Sequence, residues 1–179
     1  WRSVGFSEQM SLNIAVYRTI AAVVVTVISM FIVDRVGRRN LLTWGSVAMT
    51  VFLAIASIGF YQAKVSGTSI ALTGVWAPIT LAAVYGFYLA FCLTWGPVMW
   101  VVIGEIFPNN IRALGIAVAT AANWIGNFLI SYSFPSLEHL IGIGNIYALY
   151  AVFALIGLVF VVKAVPETAG IKLEDMKAE

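Results

Sequence analysis

An all-α integral membrane protein is the fold class this sequence predicts, on three observations. Of its 179 residues, 61% are hydrophobic and only 10% are charged, against roughly 25% charged in an ordinary soluble domain. The mean hydropathy is +0.97. The charges are also clustered, leaving 40–63, 65–104, 113–137 and 140–162 without any Asp, Glu, Lys or Arg. Runs of this length read as membrane-crossing helices, because about 20 residues span the hydrocarbon core. They lack the ten-residue alternation of a membrane barrel, so helices are the spanning structure. Ten basic and eight acidic residues cannot build a soluble charged shell. A soluble enzyme is excluded.

Five spans follow in order, with approximate limits Ser11–Val33, Leu41–Gln62, Pro78–Ile103, Ala113–Phe134 and Ile141–Val162. The linkers between them are short and polar: Asp34–Asn40, Lys64–Gly74, Glu105–Arg112 and Ser136–Leu140. Orientation comes from the basic residues. The first and third linkers and the tail 163–179 hold Arg35, Arg38, Arg39, Arg112, Lys163, Lys172 and Lys177, whereas the other side holds only Arg2 and Lys64. That asymmetry predicts a cytoplasmic tail and an outward-facing Trp1. The chain starts at Trp1 without a signal-peptide n-region. An odd number of spans with oppositely facing ends predicts a helix missing upstream.

Several function classes drop out. A net charge of +2 without a polybasic run offers no nucleic-acid surface. One Cys (Cys92) and one His (His139) cannot assemble a zinc cluster or an internal disulfide. There is no phosphate loop, and Gly142–Ile143–Gly144 is followed by Tyr147 where a dinucleotide fingerprint needs glycine. No metal and no organic cofactor are expected.

The polar residues inside the spans carry the functional signal. Thr120, Asn123, Asn127 and Ser131 are spaced 3, 4 and 4, within about 80° of a helix circumference. Such a stripe faces a bundle interior or a wet cavity. It is either interhelical hydrogen-bond glue or the lining for a neutral, hydroxyl-rich solute, since amides donate and accept without charge. The third span contains Trp95–Gly96–Pro97–Val98–Met99–Trp100. Pro97 cannot donate to the helix ladder and Gly96 loosens it, so a kink or break is expected. Broken helices are where carriers place solute sites. Trp100 lies one turn beyond Gly96 and offers a flat apolar plate with one N–H. Most tryptophans in such a chain are packing or interfacial-belt residues, and Trp100 reads that way from composition alone. Arg18, about seven residues into the first span, is read either as snorkelling to the interface or as paired with a carboxylate on a helix outside the chain.

These residues also resemble a family. Asp34–Arg35–Val36–Gly37–Arg38–Arg39 resembles the loop motif of the major facilitator superfamily. Gly96–Pro97–Val98–Met99–Trp100, then Glu105–Ile106–Phe107–Pro108 with Arg112, then Asn123–Trp124, then Pro166–Glu167–Thr168 are similar to the ordered signature of its sugar porter branch. Order and spacing both match over essentially the whole chain, with the nearest likeness to bacterial sugar–proton symporters of the xylose and galactose type. Facilitative glucose carriers are somewhat further off.

The resemblance implies that the five spans are helices 8–12 of a twelve-helix carrier. The N-terminal half and the seventh helix of that carrier become implied partners, alongside a small-molecule sugar and the lipid bilayer. It implies a multi-pass plasma-membrane protein that moves a monosaccharide by alternating access, with protons as the coupling ion and no catalysis. The alternatives are a porter of a cyclitol or hydroxylated organic acid, and a non-transporting sugar sensor. By position, Trp100, Asn123, Trp124 and Phe91 match residues lining or bordering the sugar; Gly96 and Asn127 join them from the break and the stripe. Asp34, Arg35, Arg38, Arg39, Glu105, Arg112 and Glu167 match a cytoplasmic charge network that secures one state of the cycle. Three positions depart from the pattern. Ala22 stands where Asn is frequent, with Arg18 and Thr19 nearby; Cys92 is acidic in some glucose carriers; Ala169 stands where Lys is usual.

Overall fold

The computed structural model describes residues 8–66, 69–72 and 74–167. It contains α1 (Glu8–Val36), α2 (Arg38–Tyr61), β1 (Lys64–Ser66), β2 (Ser69–Ala71), α3 (Trp76–Leu93), α4 (Trp95–Ile106), α5 (Arg112–Ile141) and α6 (Ile143–Ala164). Taking α3 and α4 together, five helical stretches are long and apolar enough to cross a membrane. The expected tail beyond Glu167, including Lys172, Lys177, Thr168 and Ala169, lies outside the described residues, as do Trp1 and Arg2.

Helix ends differ from the sequence expectation for identifiable reasons. The linker expected over Asp34–Asn40 shrinks to Gly37, because α1 runs to Val36 and α2 starts at Arg38. Gly37 turns the chain at φ +90, a region open to glycine and costly for other residues. The linker expected over Ser136–Leu140 is helical instead. α5 carries Pro135 inside it and runs on to Ile141, and the reversal falls at Gly142, at φ +78. Part of the linker between α2 and α3 pairs with itself as an antiparallel hairpin, Val65 opposite Ile70. That small ribbon satisfies backbone groups in an otherwise helical chain.

The expected break in the third span is present, and it falls at Thr94. This residue has φ −122 and ψ −81 and separates α3 from α4. Restarting the helix there puts Pro97 in the first turn of α4, where its missing N–H costs nothing. Thr94 Oγ1 donates to the Ala90 carbonyl at 2.7 Å, occupying an acceptor at the end of α3.

The second helix is the centre of the bundle, packed mainly on α6 and α3. One buried cluster joins Val33, Leu41, Leu42, Val98, Val102 and Val161; another joins Ala56, Phe60, Leu72 and Ala83. They mark opposite ends of α2. Between helices the close approach depends on small residues. A Cβ on Gly45 would collide with Thr94 Oγ1, and one on Gly59 would collide with Thr80 Oγ1. α5 is different: none of its residues is buried, and Trp124, Phe128 and Tyr132 are largely exposed.

Candidate functional site

Two sites emerge: a charge cluster at one end of the bundle and a cavity alongside the helix break. The cluster is organised by Arg38, the first residue of α2. Its Nη2 lies 2.8 Å from Asp34 Oδ1, one turn back across Gly37. The same guanidinium reaches α4 in a two-pronged contact, Nη2 to Glu105 Oε1 at 3.0 Å and Nε to Glu105 Oε2 at 3.3 Å. Paired geometry of this kind adds direction as well as attraction.

Glu167 closes the cluster from beyond α6. Its carboxylate accepts the backbone N–H of Arg38 at 2.9 Å and of Arg39 at 3.2 Å. These are unsatisfied donors at a helix start, where the dipole also favours an anion. Gly37 makes room for it, since a Cβ there would sit 2.6 Å from Glu167 Oε2. Arg39 donates to the Val162 carbonyl. Asp34, Arg38, Arg39, Glu105 and Glu167 therefore meet at one place.

Two expected members stand apart. Arg35 is exposed, because one residue beyond Asp34 is about 100° around the helix. Arg112 turns to its own loop and donates from Nε to the Phe107 carbonyl at 3.2 Å. Its Nη2 is buried without a hydrogen-bond partner among the described residues.

A cavity of about 610 Å³ lies among α2, α3, α5 and α6 at the top of α4. Of the predicted site residues, Phe91 and Asn127 line it. Ser46, Trp95, Tyr150 and Phe153 line it too, and sequence reasoning did not single these out. Trp95 opens the Gly–Pro motif, and Ser46 is a fully buried polar residue mid-run in an apolar helix; that was the only available signal. The Trp95 indole N–H donates to Ser46 Oγ at 2.8 Å, and Ser46 Oγ donates to the Leu42 carbonyl at 2.8 Å. Their polar groups are spent on holding α4 against α2.

Trp100, Asn123, Trp124 and Gly96 do not line this cavity. Trp100 is 38% exposed and Trp124 68% exposed, while Asn123 is half-buried. The stripe on α5 splits in behaviour. Thr120 Oγ1 donates to the Ile116 carbonyl at 2.7 Å, and Asn127 Nδ2 to the Asn123 carbonyl at 3.0 Å. The Asn123 side chain makes no hydrogen bond among the described residues. None of these four polar side chains bonds across helices there, so the stripe does not act as glue within this bundle.

Comparison with known proteins decides the family. The profile described as "Sugar (and other) transporter" matches residues 1–179. This chain belongs to the sugar transporter family. Among curated relatives, a glucose transport protein of Synechocystis is 42% identical over 98% of this chain and 38% of its own length. A D-xylose transporter of Levilactobacillus brevis is 38% identical over 98% of this chain and 37% of its own. Among solved structures, the major facilitator proton:xylose symporter XylE, bound to 6-bromo-6-deoxy-D-glucose, superposes with a TM-score of 0.83 at 28% identity. That match covers 98% of this chain and 36% of XylE. The chain thus spans a little over a third of each of these three proteins, and its helices form part of a major facilitator fold. These relatives are transporters rather than enzymes.

Proposed function

We propose that this chain is the C-terminal portion of a secondary transporter that carries a monosaccharide by alternating access, with protons as the coupling ion. The observation that carries this reading is the helix break at Thr94, which opens beside a cavity lined by an aromatic ring (Phe91) and an amide (Asn127). A broken helix beside amide and aromatic groups suits a neutral solute, whose hydroxyls need both donors and acceptors. Trp100, Asn123 and Trp124 lie outside the bundle's own cavity, two of them exposed. In this reading they face the N-terminal half of the carrier, which supplies the opposing wall together with the seventh helix.

The charge cluster acts as the cytoplasmic gate. Arg38, Glu105 and Glu167 tie α2, α4 and the segment after α6 into one unit while the gate is shut, and the contacts part when the halves rock. The positive-inside distribution supports a cytoplasmic placement in a plasma membrane. No carboxylate lines the cavity among the described residues, so a coupled proton would be taken up by the other half.

Reconstitution tests the reading. Liposomes holding the full-length carrier should show saturable, proton-gradient-driven uptake of a monosaccharide, and liposomes holding this chain alone should match empty ones. Robust uptake by the chain alone would mean that it is a complete small transporter.

A further inference from the structure

Arg18 is the one charge set within a long apolar stretch of α1, and its side chain lies over an aromatic ring of α3. Its guanidinium carbon lies 4.8 Å from the centre of the Tyr88 ring. Tyr88 is twelve residues into α3 from Trp76, about 18 Å along that helix. The charge therefore lies against α3 at about the middle of its length, on a residue that the bundle leaves exposed, a depth where a lone cation is costly. No carboxylate pairs with Arg18 among the described residues.

What surrounds it is a recess of about 200 Å³, lined by Arg18 and by Tyr85, Tyr88, Tyr147 and Tyr150. The Tyr85 hydroxyl donates to the Ile14 carbonyl at 3.2 Å, which holds α3 against α1 beside the recess. Leu53, Phe87 and Tyr150 line both this recess and the 610 Å³ cavity. The two spaces abut. One presents an amide and aromatic faces, the other a fixed cation among phenols.

We propose that Arg18 lets this carrier accept sugar acids beside neutral sugars, the recess taking the carboxylate while the adjoining cavity takes the hydroxylated ring. A guanidinium offers a planar fork of donors that matches a carboxylate in two parallel hydrogen bonds. Tyr147 and Tyr150 add phenol groups beside it without adding charge, while the Tyr85 hydroxyl is already committed to Ile14. A neutral sugar leaves the cation unmatched; a uronate neutralises it. The volume suffices, since each water claims about 30 Å³ and a carboxylate displaces only one or two.

This inference rests on the transporter reading, so the experiment separates the two. Binding of D-glucuronate and of D-glucose is measured by calorimetry on the purified full-length carrier. D-glucuronate should bind and compete with D-glucose. Arg18→Gln should lower the ratio of glucuronate to glucose affinity by at least about tenfold, and Arg18→Lys, which keeps charge but loses the fork, by less. Glucose binding without glucuronate binding would overturn the subsite and leave the transporter reading intact. So would an unchanged ratio in either variant, which covers the case where one of them fails to fold. Arg18-dependent glucuronate binding with no glucose binding would uphold the recess and overturn the neutral-sugar reading. Binding of neither would overturn both.

Discussion

At the scale of single residues, Asn123 and Gly37 carry the sharpest expectations. The Asn123 amide is half-buried and makes no hydrogen bond among the described residues, whereas its neighbours Thr120 and Asn127 bond back to their own helix. A hydrogen bond from it to a sugar hydroxyl contributes about 0.5–1.5 kcal/mol net. Asn123→Ala in the full-length carrier should therefore weaken sugar affinity by about tenfold. Trp100→Ala should cost at least as much, because plate and N–H both go. Lys64→Ala on the distal linker is the control. Calorimetric affinities unchanged in both variants would remove Asn123 and Trp100 from the site. Gly37 is a different case, since both its φ of +90 and the Glu167 carboxylate forbid a side chain. Gly37→Ala should destabilise the carrier by about 1–3 kcal/mol from backbone strain alone and push Glu167 off the start of α2. A thermal midpoint equal to wild type would show that the turn relaxes and Glu167 is not held there.

Between elements, the contact of α2 with α3 tests whether close approach or polar bonding holds the bundle. Thr80 Oγ1 is buried without a partner among the described residues and lies where a Cβ on Gly59 would go. Thr80→Ala should thus be neutral or slightly stabilising, because an orphaned buried hydroxyl is lost. Gly59→Ala should destabilise by overpacking, typically about 1–3 kcal/mol. The double variant should recover part of that loss, as residues in contact couple in a double-mutant cycle. Strict additivity of the two melting shifts would show that the helices do not meet at this pair. The same logic explains the break at Thr94. Gly45 brings α2 against Thr94, so the end of α3 is clamped where Pro97 requires the helix to restart.

For the molecule as a whole, the charge cluster and the hairpin lie at opposite ends of α2, and the basic residues gather at the first end. Single cysteines at Asn40 and Asn110 should be protected from an impermeant maleimide in intact cells, in a Cys92→Ala background. One at Ser66 should label. Labelling at Asn40 or Asn110 from outside would invert the topology. The exposed apolar surfaces of α1 and α5, with Tyr17, Phe31, Trp124 and Phe128 largely uncovered, fit helices that meet lipid and the remaining carrier on most of their circumference.

Residue chemistry along the chain was enough to decide the class, the spans and the motifs. Length and hydropathy are local properties of a membrane helix, because lipid forces each span to satisfy its own backbone. The break was legible for the same reason: Pro97 lacks its N–H in any context. The charge cluster was legible only in part. Asp34, Arg38 and Glu105 could be listed as charges on one face, but which of them meet depends on helix rotation. Rotation left Arg35 outside and sent Arg112 to its own loop. Ser46, Trp95 and Tyr150 were hidden because a cavity wall is made by residues distant in sequence, and no periodicity within one helix records its neighbours. The seat of Arg18 over an aromatic ring belongs to the same class. The sequence places a cation about a third of the way down α1; only the packing of α3 against it puts Tyr88 beneath the guanidinium, because a side chain's direction is set by what the adjoining helix leaves open.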